Sequence, residues 1–175
     1  MVSSLVHTFG WMIILGRNGI LNNFLLSINI IQEPIRLLYT FNGVYIAMTH
    51  ALLPIMILSI VSVLGSVDYS LIEAARSLGA GKIRAFVTVT FPLSIPGVFT
   101  GFILVLSLCI AWFVTPALIG GAETRVLATT VFDQTMSLLN WPFGSTVAAI
   151  TILISMFILL IITKIVRRLY RGVFG

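Results

Sequence analysis

Charge is the scarcest feature of this sequence. Of 175 residues only 9% are charged, ten basic and five acidic, against about 25% in soluble domains. There is one cysteine, Cys109, within an apolar run, which excludes a disulfide framework and a Cys/His metal site. The two histidines, His7 and His50, stand far apart in the chain with no acid or thiol beside either. Each is expected to serve packing rather than a relay or ligand set. Gly79-Ala80-Gly81-Lys82 lacks both the full spacing of a phosphate-binding loop and the Ser or Thr that should follow its lysine. Nucleotide binding by this chain is therefore excluded, and no cofactor is called for. Ser, Thr and the few carboxylates form no nucleophile–base pattern, which argues against an enzyme.

What is present is apolar surface. The chain is 59% hydrophobic with a mean hydropathy of +1.14, more than a soluble core of this size can hide. Three runs are long enough to cross a bilayer as helices: 42–64, 91–119 and 147–165. A fourth, 1–15, is too short and is expected to be a partial crossing; it has neither a basic leader nor a small-residue cleavage site. Residues 19–39 mix Asn22, Asn23, Asn29, Gln32, Glu33 and Arg36 with Ile, Leu and Phe, which predicts a helix lying in the interface. Pro54, Pro96 and Pro116 punctuate the runs, as packing irregularities or as kinks that a moving bundle uses. The net charge of +5 does not point to nucleic acid, because the basic residues flank apolar spans instead of interleaving with aromatics. Arg76, Lys82 and Arg84 lie between two runs, and Lys164, Arg167, Arg168 and Arg171 follow the last. The opposite side holds only Arg17, Arg36 and Arg125. That bias places the loop at 66–92 and the C-terminus in the cytoplasm, and the link from Gly120 to Ser145 outside, against the mouth of the bundle.

The loop at 66–92 is the most polar interval between two long runs. Ser70 with Glu73 three residues on has the spacing of a capping box. Gly79 is the natural stop, since a residue just past a helix end often needs positive φ. Lys82 restarts a helical pattern, so the expected unit is helix, glycine turn, helix. Leu71, Ala75 and Leu78 share one face of the first helix.

These residues carry a family resemblance. Glu73-Ala74-Ala75, three residues, Gly79, nine residues, then Val89-Thr90-Phe91-Pro92 resembles the EAA loop of ABC importer permeases, with Val89 and Phe91 as conservative departures from Ile and Leu. The resemblance implies an all-α, polytopic membrane helix bundle of the type I (MetI-like) importer permease fold. It also implies a coupling role for Glu73, Ala74, Ala75, Gly79 and Pro92, docked on cytoplasmic ATPase subunits. The bland reading of Glu73 is a helix cap alone. Further stretches, WMIILGRNGILNNFLL, PIRLLYTFNGVYIAMTHALLPIMIL, FVTPALIGG and NWPFGSTVA, are similar to spermidine/putrescine-type permeases of the same family. This adds a second permease subunit and an extracytoplasmic binding protein as partners, in a bacterial inner membrane. Such permeases have about six crossings, so the chain is expected to begin inside the third and to form a partial domain. An inert fragment and a permease for another small solute are the alternatives. For the substrate pathway, Trp112 and Thr115 beside the Pro116 break and Asp133 in the outer link are candidates, although for Trp112 the favoured reading is an interfacial belt residue.

Overall fold

The structure is a computed structural model that describes residues 2–121 and 124–174. Met1, Ala122, Glu123 and Gly175 lie outside the described residues, and with them two positions of the outer link; so do the side chains of Arg167 and Arg171 in the basic tail. Among the described residues the chain is helical or irregular: α1 (Val2–Leu15), α2 (Ile20–Ser27), α3 (Phe41–Leu64), α4 (Ser70–Ser77), α5 (Lys82–Ala85), α6 (Phe91–Ala111), α7 (Leu127–Phe132) and α8 (Trp141–Phe174). Three helical stretches, Phe41–Leu64, Lys82–Ala111 and Trp141–Val166, have the length and apolar composition to cross a membrane. At about 1.5 Å per residue, the 24 residues of α3 reach roughly 36 Å, enough for a ~30 Å hydrocarbon core.

The second of these differs from the run read as 91–119. Helix begins at Lys82, nine residues earlier, and ends at Ala111. The early start passes through a π turn at Phe86–Thr90, where Phe91 N–H bonds five residues back to Phe86 O. Pro92 follows immediately. Its ring would crowd the carbonyl four residues back and it has no N–H to donate, so a locally widened turn lets the helix continue through it. The early end has the same cause at Pro116: Trp112 and Phe113 leave the helix, and a separate π turn, Pro116–Gly120, opens on the proline.

Residues 19–39 also depart from expectation. Only the eight residues of α2 are helical, and Asn22 is fully buried. Its amide donates to Gly16 O and Ile35 O, both at 3.0 Å, and its oxygen accepts from Ile35 N at 2.9 Å. A side chain that satisfies three backbone groups folds 28–40 back as irregular chain. Composition signalled polarity here; it could not show that the polarity points inward.

The chain divides into two compact units, 1–51 with 108–158, and 52–107 with 159–175. In the first, Leu15, Val44, Ala47 and Ile119 form a buried cluster flanked by Trp11, Met12, Leu21, Leu37, Leu38 and Met48. Tyr39, at φ 64°, donates its N–H to Ile119 O at 2.7 Å. The second unit buries Leu52, Ala85 and Ser94 among few others. Its closest approach to another helix's backbone is at Gly97, where a Cβ would stand 2.8 Å from Ile60 Cα and 3.0 Å from Ser59 O. Glycine there lets two helix backbones touch. From Val147 to Ile165, α8 has no buried residue, which leaves an apolar surface for lipid or protein.

Candidate functional site

In the second unit, the polar loop forms helix, turn and helix in the expected order. Gly79 closes α4 with φ 86°, the left-handed conformation a Cβ would strain, and nothing lies within 4 Å of where that Cβ would be. Ala80 N–H then bonds to Ala75 O and Gly79 N–H to Arg76 O, the paired closure of a helix end. The start of α4 corrects the capping-box expectation. Tyr69 is already helical at φ −61°, ψ −24°, and the Asp68 carboxylate accepts the Ser70 N–H at 2.9 Å. Asp68 is the cap; Ser70 and Glu73 are not. The Ser70 amide, and after it the Ser70 hydroxyl, hold the Asp68 carboxyl below its usual range, slightly opposed by desolvation. A full negative charge at a helix N-terminus outcompetes a hydroxyl.

Freed from the cap, Glu73 is exposed, and its carboxylate makes no hydrogen bond or ion pair among the described residues. Ala74 is exposed and Ala75 half-buried beside it. α4 packs back on α5 and the π turn, leaving Leu78 89% and Ile83 82% exposed on either side of the glycine turn. Beside them Gly81, Lys82, Ile83, Arg84, Val87 and Thr88 line an open groove of about 720 Å³. Small residues, bare aliphatic side chains and one unpaired carboxylate make a surface suited to docking. Pro92 is apart from it, half-buried at the start of α6.

In the first unit, two of the three pathway candidates meet. The Trp112 indole N–H donates to Thr115 Oγ1 at 2.9 Å, and Thr115 Oγ1 lies 3.1 Å from Thr8 Oγ1. Thr8 donates to Ser4 O at 2.8 Å, so the Thr115 proton goes to Thr8 and every member of the chain is satisfied. Thr115 is 1% exposed; it orients Trp112 and has nothing left to offer a solute. Asp133 joins them only through a neighbour, since the ring of Phe132 packs against Phe113 at 4.5 Å between centroids. The Asp133 carboxylate is half-buried and makes no ion pair or hydrogen bond among the described residues.

The histidines overturn the expectation of independent packing. His7 Nε2 and His50 Nδ1 are 2.9 Å apart, across 43 positions of sequence. Trp11 Nε1 lies 3.3 Å from His7 Nε2. Spacing along the chain concealed this, because the pairing depends on α1 lying beside the first half of α3. His7 and Trp11 four apart on α1 was the one legible hint.

Residues 8–172 match the model of the family described as binding-protein-dependent transport system inner membrane component. The chain is 35% identical over 160 residues to the spermidine/putrescine transport system permease protein PotB of Escherichia coli (strain K12), covering 91% of this chain and 58% of that protein. It is 38% identical over 157 residues to the protein of the same name from Haemophilus influenzae, covering 89% and 55%. The chain thus spans little more than half the length of these relatives. Among solved structures it resembles that of a bacterial ABC transporter involved in the import of the acidic polysaccharide alginate, with a TM-score of 0.76 at 16% identity, over 96% of this chain and 62% of the other. That likeness concerns the fold.

Proposed function

The chain belongs to the family of inner membrane components of binding-protein-dependent transport systems, multi-pass membrane proteins, and from that premise we propose that it is a permease subunit of an ABC importer for spermidine and putrescine. Its loop at 66–92 couples to a cytoplasmic ATPase that hydrolyses ATP on a separate chain. A second permease subunit and an extracytoplasmic binding protein complete the unit.

The observation that carries the coupling reading is the bare surface around Gly79. Leu78 and Ile83 are almost fully exposed in a loop too short to bury them itself, and exposed aliphatic groups beside small residues mark a protein contact. Glu73, Ala74 and Ala75 present the ionic and close-contact parts of that surface, and Gly79 sets its angle. Pro92 acts at one remove, by fixing how the second helix leaves the loop. In the first unit, Trp112, held by Thr115, and the unpaired Asp133 offer an aromatic face and a carboxylate, the groups that attract an aliphatic ammonium. The polyamine assignment rests on the PotB relatives.

Orientation follows from the basic residues. Reporter fusions after Arg84 and after Arg171 are expected to read cytoplasmic and one after Glu123 extracytoplasmic; an outside reading at Arg84 rejects the topology. Coupling is tested by Gly79→Val, which forces a β-branched residue into positive φ at a cost of about 1–3 kcal/mol. In the assembled transporter it should lower substrate-stimulated ATPase activity and uptake while membrane insertion stays normal. Gly10→Ala is the control, since Gly10 lies on α1 away from the loop and nothing stands within 4 Å of where its Cβ would be. Equal uptake by both variants defeats the coupling assignment.

A further inference from the structure

We propose that His50, set by His7 and Trp11, is a hydrogen-bond acceptor for an aliphatic ammonium group, an uncharged contact for polyamine within the helix bundle. The proposal rests on the polyamine reading above and adds to it a site that no acidic residue supplies.

The His7 and His50 planes are inclined by only 15°, with centroids 5.2 Å apart. With 2.9 Å between the nearest nitrogens, that separation is what two rings meeting edge to edge require. The contact is therefore an in-plane N–H···N hydrogen bond, not a face-to-face stack. One nitrogen donates and the other accepts. Trp11 decides which, because an indole N–H can only donate. Its Nε1 points at His7 Nε2 from 3.3 Å, and its ring stands edge-on to both imidazoles, at 62° and 66°. If His7 Nε2 carried a proton, two N–H groups would oppose each other and the indole would lose its partner. With His7 Nε2 as acceptor, its one lone pair is shared between the two donors, the 2.9 Å contact taking the larger part and the 3.3 Å indole contact the smaller, and the proton in the pair belongs to His50 Nδ1.

The consequence falls on the far side of the His50 ring. A neutral imidazole protonated at Nδ1 has a lone pair on Nε2. His50 is an exposed residue and its Nε2 makes no hydrogen bond among the described residues. It lies at the tenth position of α3, about 14 Å along the helix from its start, within the span. A histidine at that depth faces protein or a water-filled path rather than lipid, since a bare acceptor in hydrocarbon costs several kcal/mol. The three long apolar stretches contain no Asp or Glu. An ammonium group passing them finds no carboxylate, but it can donate to His50 Nε2 beside the ring of Trp11, whose centroid is 5.3 Å from that of His50. A carboxylate would hold the cation too firmly for passage; a neutral acceptor binds and releases it.

The chain holds only two histidines, so ¹⁵N-histidine labelling gives an interpretable spectrum of the whole chain in lipid nanodiscs, with His50→Gln identifying which ring is which. Expected are a His50 ring protonated at Nδ1 and bare at Nε2, and a saturable shift of that Nε2 on adding spermidine or putrescine. The uncharged isostere 1,4-butanediol should leave it in place. A His50 ring protonated at Nε2, no response to spermidine, or an equal response to the diol overturns the proposal. In the assembled transporter, His50→Phe should raise KM for putrescine about tenfold with kcat largely kept, the loss of one hydrogen bond to a charged group. His50→Gln, whose amide oxygen can still accept, should recover most of it. Unchanged KM in both variants also overturns the site. Normal polyamine uptake with a silent His50 nitrogen removes this site and leaves the import reading intact. A responding nitrogen in a transporter that imports no polyamine supports the site and removes that reading.

Discussion

The two compact units of this chain are held together by different means. In the first, side-chain hydrogen bonds span long stretches of sequence: His7 to His50, Thr8 to Thr115, Asn22 to Ile35. In the second, the side-chain hydrogen bonds among the described residues are local, such as Ser59 to Ile55, Thr88 to Arg84, Ser94 to Phe91 and Ser107 to Ile103. Those bonds return to the same helix and tie no elements together. The second unit instead relies on close backbone approach at Gly97. The difference is physical as well as formal. In hydrocarbon, association between helices draws little from the hydrophobic effect, so it must come from dispersion at short range or from polar groups that find one another. The first unit adds polar contacts between elements to its close packing; the second, among the described residues, shows close packing without them.

Gly97→Val tests the close packing of the second unit and carries the largest expected effect. The new side chain meets backbone atoms, which cannot swing aside, so about 3 kcal/mol of destabilisation is expected, measured as a shift in the denaturant midpoint of the detergent-solubilised protein. A shift no larger than that of an exposed control such as Gly81→Ala would mean that the two helices are not in contact.

Asn22→Ala tests the polar contacts of the first unit. It leaves Gly16 O, Ile35 O and Ile35 N without their partner in a buried position, and a loss of about 2 kcal/mol is expected, with proteolytic cleavage newly appearing between residues 28 and 40. Asn22→Asp should fail nearly as badly, because a carboxylate accepts from Ile35 N but cannot donate to the two carbonyls. Rescue by Asp would show that the donated bonds are immaterial.

The smallest effect sharpens the contrast at the surface. Asp68 has its folded-state pKa depressed below 3.8 by the Ser70 amide. It therefore stabilises α4 at pH values above its unfolded pKa, and that contribution fades as pH falls through the lower folded value. Faster hydrogen exchange at the Ser70 amide is expected in the acid range, once the base-catalysed dependence is corrected. Asp68→Asn should keep the cap and abolish that pH dependence. Since Asp68 is fully exposed, no change in global stability is expected.

Much of the architecture was legible in residues alone. Low charge and long apolar runs required a membrane helix bundle, because a continuous apolar run satisfies its own backbone in lipid as a helix, whereas a barrel strand would alternate apolar with polar residues. Gly79 declared its turn, since one residue type tolerates positive φ without strain. The spaced pattern from Glu73 to Pro92 named the family. Other features were out of reach of pattern. Whether Asp68, Ser70 or both cap α4 depends on which residue first turns helical, a difference of one position. The π turns at Phe86–Thr90 and Pro116–Gly120 follow from how each proline is accommodated, and proline spacing does not say whether a helix bulges through or stops.

Composition and local spacing determined that this chain is helical, lies in a membrane and turns sharply at Gly79, because those properties depend on residue chemistry and on neighbours within one or two turns. Only the tertiary structure decided which polar groups meet. Asn22 looked like an interfacial residue and is a buried clamp; Thr115 looked open to solute and is committed to Trp112 and Thr8; His7 and His50 looked unrelated and share a proton-bearing contact. In each case the partner lies on another element, and a hydrogen bond between elements is set by where the backbone places both ends, which no window of sequence contains.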